Sequence, residues 1–346
     1  MGHDFFMIKV LLADDSALTR AVVKDVLQSV ADLTVIGEAR NGKEAVEMTN
    51  RLKPDLVIID LLMPVMDGLT AIETIMSEVP TPILVLSATV DEREVTNAFD
   101  AIRKGALDVM EKPGGIGMDQ SDGFAARLIE KVRLLARIKV IRRWPRSKVL
   151  VTPQPRVRGS KPTVLAIGAS TGGPRAVMKI VKSLPADFPA AVFIVQHIAS
   201  GFATGFASWL NGECGIKVRL AVDGEVVTAG VALVAPNDCH MVLDGGKIRL
   251  LNDPPVNCCR PSIDVFFQSL AQERGAQTVG VLLTGMGRDG AQGMLRIKDQ
   301  GGATLVQDEE SSAVFGMPKA AIGLNAADQV LPLTGIPDAI ARIFAG

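Results

Sequence analysis

Short apolar runs alternate with amphipathic stretches along the first third of this 346-residue chain. Each apolar run has the length of a buried strand, and each stretch that follows repeats its apolar residues at helical spacing. This alternation is typical of βαβ units, in which crossover helices join parallel strands. It predicts five helices and five strands, the strands being IKVLLA, LTVIGEA, LVIID, PILVLSA and DVMEKP.

The same rhythm resumes at Thr163 and continues to the C-terminus. Three shorter runs in this half, VALVAP, HMVLDGG and KIRLL, predict a hairpin insertion. The predicted fold class is therefore α/β throughout. It consists of an N-terminal (βα)5 domain and a C-terminal doubly wound, mostly parallel α/β domain.

The composition changes between Arg137 and Lys161, where nine Lys or Arg residues occur with no Asp or Glu. Several prolines interrupt the same region, which predicts an exposed interdomain linker. A basic arm can contact nucleic acid, but a solvated linker is the commoner outcome. The predicted division is a first domain over 5–125, a helix end and linker over 126–162, and a second domain over 163–346.

Composition excludes several classes of partner. The net charge of −1 provides no overall field that attracts nucleic acid or a membrane surface. No apolar run is long enough to span a bilayer, so direct membrane insertion is not expected. The four cysteines lack metal-binding spacing and are expected to be reduced thiols of a cytoplasmic protein.

Charged and polar residues follow the N-terminal strands at the points where the strands end. They are Asp14, Asp15, Asp60, Ser87 and Lys112. The carboxyl ends of parallel strands meet at one edge of a sheet, so three carboxylates converge there and require a hard cation such as Mg²⁺. Asp60 is then expected to accept a phosphoryl group, with Lys112 neutralising the developing charge and Ser87 contacting a phosphoryl oxygen.

This segment resembles the receiver domain of two-component response regulators, over roughly residues 7–125. The matching features are the acid pair, the acceptor in DLLMPVMDG, the serine in LSA and the lysine in EKP. The resemblance implies a cis bond between Lys112 and Pro113. It also implies an aromatic switch residue three positions before the lysine, where this chain has Val109. Phosphorylation is therefore expected to be signalled mainly through Ser87 and the segment after it.

Three residues of the second half also follow apolar runs: Ser170 in GASTGGP, His197 after AAVFIVQ, and Asp289 after TVGVLLTGMG. A nucleophile, a base and an orienting carboxylate at one sheet edge predict an acyl-transfer site. The order Ser–His–Asp argues against the α/β-hydrolase family, in which the acid precedes the histidine. A glycine-rich turn that only binds phosphate is the alternative explanation for GASTGGP.

The second half resembles the chemotaxis protein-glutamate methylesterases of the CheB type, over about residues 163–345. The motifs, in chain order, are GASTGGP, QH followed by GF, APND-HM, NCCRPSID, LLTGMGRDG and VFGMPKAA. The resemblance implies hydrolysis of glutamyl γ-methyl esters on the cytoplasmic helices of chemoreceptors, and slower deamidation of receptor glutamines. It requires Mg²⁺ for receiver phosphorylation and no cofactor for ester hydrolysis. A chemotaxis histidine kinase is the implied phosphate donor.

Further positions in these motifs have expected roles. The resemblance points to Met286 as the backbone donor to the oxyanion, with Thr171 a weaker candidate. Arg260 either guides an acidic receptor helix or forms a structural salt bridge with Asp264. His240 is a rival base for which a structural role is favoured.

The chain departs from the family pattern at two places: IAS follows QH where a proline-rich segment is frequent, and Cys259 precedes RPS where histidine is common. Both departures leave the identity of the receptor open.

A DNA-binding effector is disfavoured, because the second half is glycine-rich α/β. A catalytically silent scaffold or phosphate sink is the non-enzymatic alternative. The unphosphorylated receiver is expected to cover the Ser170 cleft.

Overall fold

The computed structural model describes residues 7–87, 92–113, 123–138 and 161–345. The chain divides into two compact units, Met1–Trp144 and Pro145–Gly346. Within the described residues, no helix is both long enough and apolar enough to cross a bilayer.

The first unit is a five-stranded parallel sheet in the order β2-β1-β3-β4-β5. Its elements alternate along the chain as β1 (Ile8–Ala13), α1 (Ala17–Gln28), β2 (Leu33–Ala39), α2 (Gly42–Leu52), β3 (Leu56–Asp60), α3 (Gly68–Glu78), β4 (Ile83–Ser87), α4 (Glu92–Lys104), β5 (Asp108–Glu111) and α5 (Phe124–Leu135). The (βα)5 prediction is confirmed.

Local sequence fixes where these helices begin and which face they bury. Ser16 caps α1 by accepting a hydrogen bond from the backbone N–H of Thr19 at 3.3 Å, and Asn41 and Asp67 cap α2 and α3 in the same way. α5 buries Leu128, Val132 and Leu135 in the core of this unit. The unit therefore includes a helix that extends ten residues beyond position 125.

The second unit is a seven-stranded parallel sheet in the order β14-β13-β12-β6-β7-β9-β8, with a separate antiparallel hairpin of β10 and β11. The strands are β6 (Val164–Ala169), β7 (Ala191–Gln196), β8 (Lys217–Leu220), β9 (Val231–Val234), β10 (His240–Asp244), β11 (Lys247–Leu251), β12 (Thr278–Leu282), β13 (Ala303–Gln307) and β14 (Gln329–Leu331). The helices are α6 (Gly173–Val181), α7 (Ala203–Glu213), α8 (Ile263–Arg274), α9 (Ala291–Asp299), α10 (Met317–Gly323) and α11 (Ile336–Ala345).

The hairpin prediction was partly wrong. HMVLDGG and KIRLL form β10 and β11, which pair antiparallel. VALVAP instead provides β9, which lies between β7 and β8 in the parallel sheet. The run is only four residues long, so its periodicity could not distinguish a short central strand from a hairpin strand.

Aromatic and small residues set the packing of helix α8. The Phe266 ring meets Phe193 of β7 edge-on, with ring centroids 5.1 Å apart, so α8 lies against the sheet. On its other side α8 meets α9, where Gly293 allows close approach. A Cβ at Gly293 would lie 2.4 Å from the Cβ of Phe267. The position of α8 matters for function because its first turn reaches Asp289.

The sheet order brings the predicted site residues to one edge. β12, β6 and β7 are adjacent parallel strands, and Ala169 is the register partner of Gln196. Ser170 and His197 follow these partners directly, and Asp289 lies in the loop between β12 and α9. All three thus lie at the carboxyl ends of neighbouring strands, where open α/β sheets place their sites.

We predict that Gly293→Ala destabilises the second unit by about 1–3 kcal/mol, because overpacking forces α8 and α9 apart. Gly212→Ala in α7 is the matched control. Apart from its chain neighbours and the backbone of its own helix, no atom lies within 4 Å of the new Cβ. We therefore expect stability to rise by about 0.4–1 kcal/mol, because alanine reduces the conformational entropy of the unfolded chain.

The measurement is urea unfolding in a Trp144→Phe background. The chain has two tryptophans, so fluorescence then reports Trp209 of α7 alone. Equal midpoints for the two glycine variants would contradict the packing described for α8 and α9.

Candidate active site

The turn that follows β6 holds Ser170 by its backbone. The Ser170 N–H donates to the Thr284 carbonyl at 3.0 Å, and the Ser170 carbonyl accepts from the Gly173 N–H at 2.7 Å. Gly172 has φ +74°, and a Cβ there would lie 2.5 Å from the Cβ of Ala313. Glycine is therefore required at this position, both by conformation and by space.

Gln196 links the nucleophile turn to the histidine that follows β7. It is buried, and its Nε2 donates to the carbonyl oxygens of both Ser170 and His197 at 2.8 Å. The His197 N–H also donates to the Ala169 carbonyl at 3.0 Å. The backbones of the predicted nucleophile and base are thus tied together. The sequence analysis did not identify Gln196, although it stands beside His197 in the QH motif.

Asp289 is the most heavily bonded group of the site. Its carboxylate is buried, and Oδ2 lies 3.0 Å from Nε2 of His197. Because an ionised carboxylate only accepts hydrogen bonds, Nε2 carries the ring proton in this arrangement. The other donors to the carboxylate are the N–H of Ile263 at 2.6 Å and of Asp264 at 3.2 Å, Oγ of Ser262 at 2.7 Å and Nδ2 of Asn257 at 2.9 Å.

Two of those donors are the first N–H groups of α8, so the carboxylate lies at the positive end of a helix dipole. Ser262 is at the same time the N-cap of α8, since its Oγ accepts from the Val265 N–H at 3.4 Å. The backbone of α8 and its capping residue thus both fix Asp289.

These contacts shift the pKa values of the pair in opposite directions. Burial raises the pKa of Asp289, but hydrogen bonds from His197, Asn257 and Ser262 outweigh burial and hold it below its usual range. Burial lowers the pKa of His197, but its contacts with Asp289 and Cys259 raise it to about 9. The pair therefore favours an ionised Asp289 beside a strongly basic imidazole.

The other imidazole nitrogen of His197, Nδ1, lies near Cys259. The distance from Nδ1 to the Cys259 Sγ is 3.6 Å. Ser170 Oγ makes no hydrogen bond to any described residue. The structure therefore assembles the His197–Asp289 pair beside the nucleophile turn, without a direct Ser170–His197 hydrogen bond. Catalytic hydrogen bonds of enzymes without substrate are often long and tighten when substrate binds.

Several backbone N–H groups near Ser170 have no acceptor among the described residues, and those of Thr171 and Met286 are among them. The turn that carries Met286 packs directly on the nucleophile, since a Cβ at Gly285 would lie 2.7 Å from the Ser170 Cβ. Both N–H groups are thus free of acceptors in the described residues, as an oxyanion donor must be.

Arg260 does not form the salt bridge with Asp264 that was one of its two expected roles. Its Nη1 instead reaches the carbonyl oxygens of Asn252 and Asp253 at 3.5 and 3.3 Å. Asp264 is buried and accepts from Asn257 Nδ2 at 2.8 Å and from the Gly293 N–H at 2.7 Å. The carboxylate faces the α8–α9 contact, whereas the guanidinium lies at the surface.

His240 has the structural role that was favoured for it. The ring is buried, Nε2 donates to the Pro254 carbonyl at 3.0 Å, and Nδ1 accepts from the Ser262 N–H at 3.1 Å. It therefore holds the segment that carries Asn257, Cys259 and Ser262 against Asp289. The sequence placed Asn257, Cys259 and Ser262 in the NCCRPSID motif but did not reveal their contacts with His197 or Asp289.

The first unit has a second cluster at its sheet edge. Lys112 Nζ lies 2.9 Å from Asp60 and 3.0 Å from Asp14, and the Lys112 N–H donates to the Ser87 carbonyl at 3.0 Å. A cavity of about 250 Å³ opens beside it, lined by Asp15, Asp60, Leu61, Leu62, Ser87, Asn97 and Lys112. The five residues expected at this edge are brought together.

Burial raises the pKa of Asp60, even though Lys112 acts in the opposite direction. Burial lowers the pKa of Lys112, but Asp60 and Asp14 outweigh it and raise that pKa. Two carboxylates that share one ammonium group are undercompensated, and a further cation would relieve their repulsion.

The cluster fits the Mg²⁺ ion that the receiver resemblance implies. One oxygen from each of Asp14, Asp15 and Asp60 lies within 4.8 Å of the others. Asp14 Oδ2 is buried and close to Lys112, yet it accepts no hydrogen bond of good geometry. An all-oxygen carboxylate set of this kind suits Mg²⁺.

The expected cis bond between Lys112 and Pro113 is wrong. Among the described residues, the cis peptide bond is Arg260–Pro261. The trans form is intrinsically favoured before proline. The pairing of β5 with β4 already places Lys112 beside Asp60, with its own N–H bonded to Ser87.

Comparison with known proteins assigns both halves. Residues 10–118 match the response regulator receiver domain, and residues 165–340 match the CheB methylesterase family. A protein-glutamate methylesterase/protein-glutamine glutaminase of Anaeromyxobacter dehalogenans is 46% identical over 339 residues, covering 97% of each chain. One of Geobacter metallireducens is 43% identical over 343 residues, covering 97% of this chain and 99% of its own.

The crystal structure of the Thermotoga maritima CheB methylesterase catalytic domain is 37% identical to this chain, with a TM-score of 0.51. It covers 54% of this chain and 99% of its own. The fold and the two sites thus define a response regulator whose effector domain is an α/β hydrolytic enzyme. The chain belongs to the CheB methylesterase family.

We predict that the His197 imidazole titrates near pH 9 in the full-length chain, because Asp289 stabilises its protonated form. Asp289→Asn removes that charge and lowers the His197 pKa. The measurement is NMR titration of the histidine ring signals. His197→Gln removes the signal of the titrating ring and thereby assigns it. An unchanged His197 pKa in Asp289→Asn would show that the pair is not electrostatically coupled.

Proposed function

We propose that this protein is a phosphorylation-controlled protein-glutamate methylesterase that hydrolyses glutamyl γ-methyl esters on chemoreceptors. The observation that carries the proposal is the ion pair of His197 and the fixed Asp289 carboxylate, next to the turn that presents Ser170. Relatives that match nearly the whole chain bear the name of this activity.

In the proposed reaction, Ser170 Oγ attacks the ester carbonyl carbon and its proton passes to His197. Because Nε2–H is held by Asp289, the accepting nitrogen is Nδ1. Asp289 keeps the ring oriented and stabilises the imidazolium that forms. The Met286 N–H, with Thr171 as the second donor, stabilises the negative oxygen of the tetrahedral intermediate.

Collapse of this intermediate transfers the proton from His197 to the departing methoxide, and methanol leaves. A glutamyl ester of Ser170 remains. Water then attacks this ester with His197 again as the base, which restores Ser170 and releases the glutamate carboxylate. The same acyl-enzyme can form from glutamine with loss of ammonia, which extends the proposal to receptor deamidation. An amide is the poorer substrate, so this reaction is slower.

We assign the control of esterase activity to the cluster of carboxylates around Asp60 in the receiver domain. Asp60 is the proposed phosphoryl acceptor, and Lys112 compensates charge on the phosphoryl oxygens, as its ion pair with Asp60 supports. Asp14, Asp15 and Asp60 are the proposed Mg²⁺ ligands, and the bound ion would supply further charge neutralisation. Ser87 lines the same cavity and contacts a phosphoryl oxygen in this proposal.

The partners in the proposal are the methylated cytoplasmic domains of chemoreceptors and a chemotaxis histidine kinase, which place the protein in the cytoplasm. Arg260 remains a proposed contact for an acidic receptor helix, since its hydrogen bonds to described residues are to carbonyl oxygens. The unphosphorylated receiver is proposed to occlude the Ser170 cleft. A differential stability of a few kcal/mol between closed and open forms suffices for a large change in activity.

We predict that full-length protein releases methanol from methylated receptor fragments, and that acetyl phosphate with Mg²⁺ increases the rate. Ser170→Ala should lose activity by several orders of magnitude under both conditions, because the nucleophile is removed. Asp60→Asn should keep the unstimulated rate and lose the response to acetyl phosphate. Methanol release is measured directly.

Activity that survives Ser170→Ala would refute the proposed nucleophile. Phosphorylation of Asp60 without any methanol release would favour the scaffold or phosphate-sink alternative.

A further inference from the structure

Cys259 lies against the nitrogen that the proposed reaction uses as its base. Its Sγ is 3.6 Å from His197 Nδ1, and the His197 side chain is 15% exposed. Cys259 itself is half-buried, so small solutes can reach the pair. The mechanism assigns no task to this thiol.

The separation matches the span of two ligands on one zinc ion. Zinc binds thiolate at about 2.3 Å and imidazole nitrogen at about 2.0–2.1 Å in tetrahedral geometry. Those bond lengths place sulfur and nitrogen about 3.5–3.6 Å apart at the tetrahedral angle. The observed 3.6 Å separation is therefore compatible with one ion bound to both atoms.

The environment of His197 is also that of a metal ligand. A ligating imidazole commonly donates its second N–H to a carboxylate, which fixes the ring and makes the first nitrogen a better donor. Here Nε2 lies 3.0 Å from Asp289, and that carboxylate is itself held by Ile263, Ser262 and Asn257. The Nδ1 lone pair is thereby directed away from Asp289, on the side of Cys259.

A tight turn fixes the position of Cys259. Cys259 and Val256 exchange two backbone hydrogen bonds, at 2.9 and 3.1 Å. Between them, Asn257 and Cys258 both have left-handed backbone conformations, with φ of 52° and 62°. The side chain of Asn257 is anchored on Asp289 and Asp264. The thiol is therefore presented by a rigid segment.

We propose that His197 Nδ1 and Cys259 Sγ form a binding site for zinc or a similarly thiophilic divalent cation, and that occupancy reversibly inhibits the enzyme. On binding, the Cys259 thiol releases its proton to solvent and the thiolate forms the S–Zn bond. The Nδ1 lone pair forms the second bond, and water completes the coordination. The Nε2 proton stays with Asp289.

Inhibition follows because zinc takes the lone pair that must accept the Ser170 proton. This consequence rests on the proposed function, whereas metal binding itself does not. Mg²⁺ does not compete for the site, since it prefers oxygen ligands. Excess Mg²⁺ can therefore occupy the receiver carboxylates and leave this site open to zinc.

The test is zinc binding to the full-length chain by isothermal titration calorimetry, with Mg²⁺ in excess to occupy the receiver site. We expect one zinc site in the wild type that weakens at least tenfold in both Cys259→Ser and Cys259→Ala. Cys258→Ser is the matched control, because this neighbouring thiol is exposed and should not change the affinity. Cobalt substitution adds a thiolate-to-metal absorption band that should vanish with Cys259.

The second readout is methanol release. Zinc should inhibit the wild type, a chelator should restore the rate, and Cys259→Ser should be at least tenfold less sensitive relative to its own metal-free rate. Unchanged zinc affinity in folded Cys259 variants, or equal loss in Cys258→Ser, would overturn the site. Zinc binding through Cys259 in a protein without esterase activity would refute the proposed function but leave the site standing.

Discussion

The buried carboxylate of Asp289 is the constraint on which the effector site depends. An isolated charge in this position is strongly unfavourable, and it is tolerated because several hydrogen-bond donors compensate it. The donors come from three parts of the chain: the start of α8 with its N-cap Ser262, the turn at Asn257 and the loop that carries His197. The charge therefore requires that these segments meet, and in meeting they orient the imidazole.

The receiver cluster follows the same physical rule with a different outcome. In both domains a buried carboxylate lies at the carboxyl end of a parallel strand and faces a cationic partner. For Asp289 the helix N-terminus and the side-chain donors satisfy the charge, so the carboxylate remains ionised and serves to orient His197. Asp60 shares the single Lys112 ammonium with Asp14, and burial raises the pKa of Asp60. The charge of Asp289 is thus fully compensated by protein groups. The surroundings of Asp60 are suited to receive a cation and a phosphoryl group.

The spacing of apolar residues, together with the capping and turn residues between them, predicted most of the fold. The strand at Leu33–Ala39 and the cap at Ser16 agree with the structure because each depends on local pattern alone. The position of VALV could not be predicted, since the sequence pattern of a four-residue strand is the same in a hairpin and in the interior of a parallel sheet. Site residues that end strands were identifiable for the same reason that the strands were.

The supporting groups were less accessible to sequence analysis. Asn257 and Ser262 bond Asp289, and Gln196 bonds Ser170, across distant parts of the chain. Such hydrogen bonds produce no periodic signal in the sequence. The proposed ion pair of Arg260 with Asp264 illustrates the limit, because closeness in sequence did not reveal that one faces the surface and the other the α8–α9 contact. Cys259 stood out as a departure from the family pattern, but its distance to His197 came only from the fold.

In the proposed mechanism His197, oriented by Asp289, activates Ser170. The most direct measurement is the rate at which a small organophosphonate modifies the full-length protein, with peptide mass spectrometry to locate the label. We expect Ser170 to be labelled at a rate that rises as pH approaches 9, because only the neutral imidazole can accept the proton. His197→Gln should slow labelling by about 10²–10⁴-fold, the usual contribution of a general base. A label on another residue, or an unchanged rate in His197→Gln, would contradict the account.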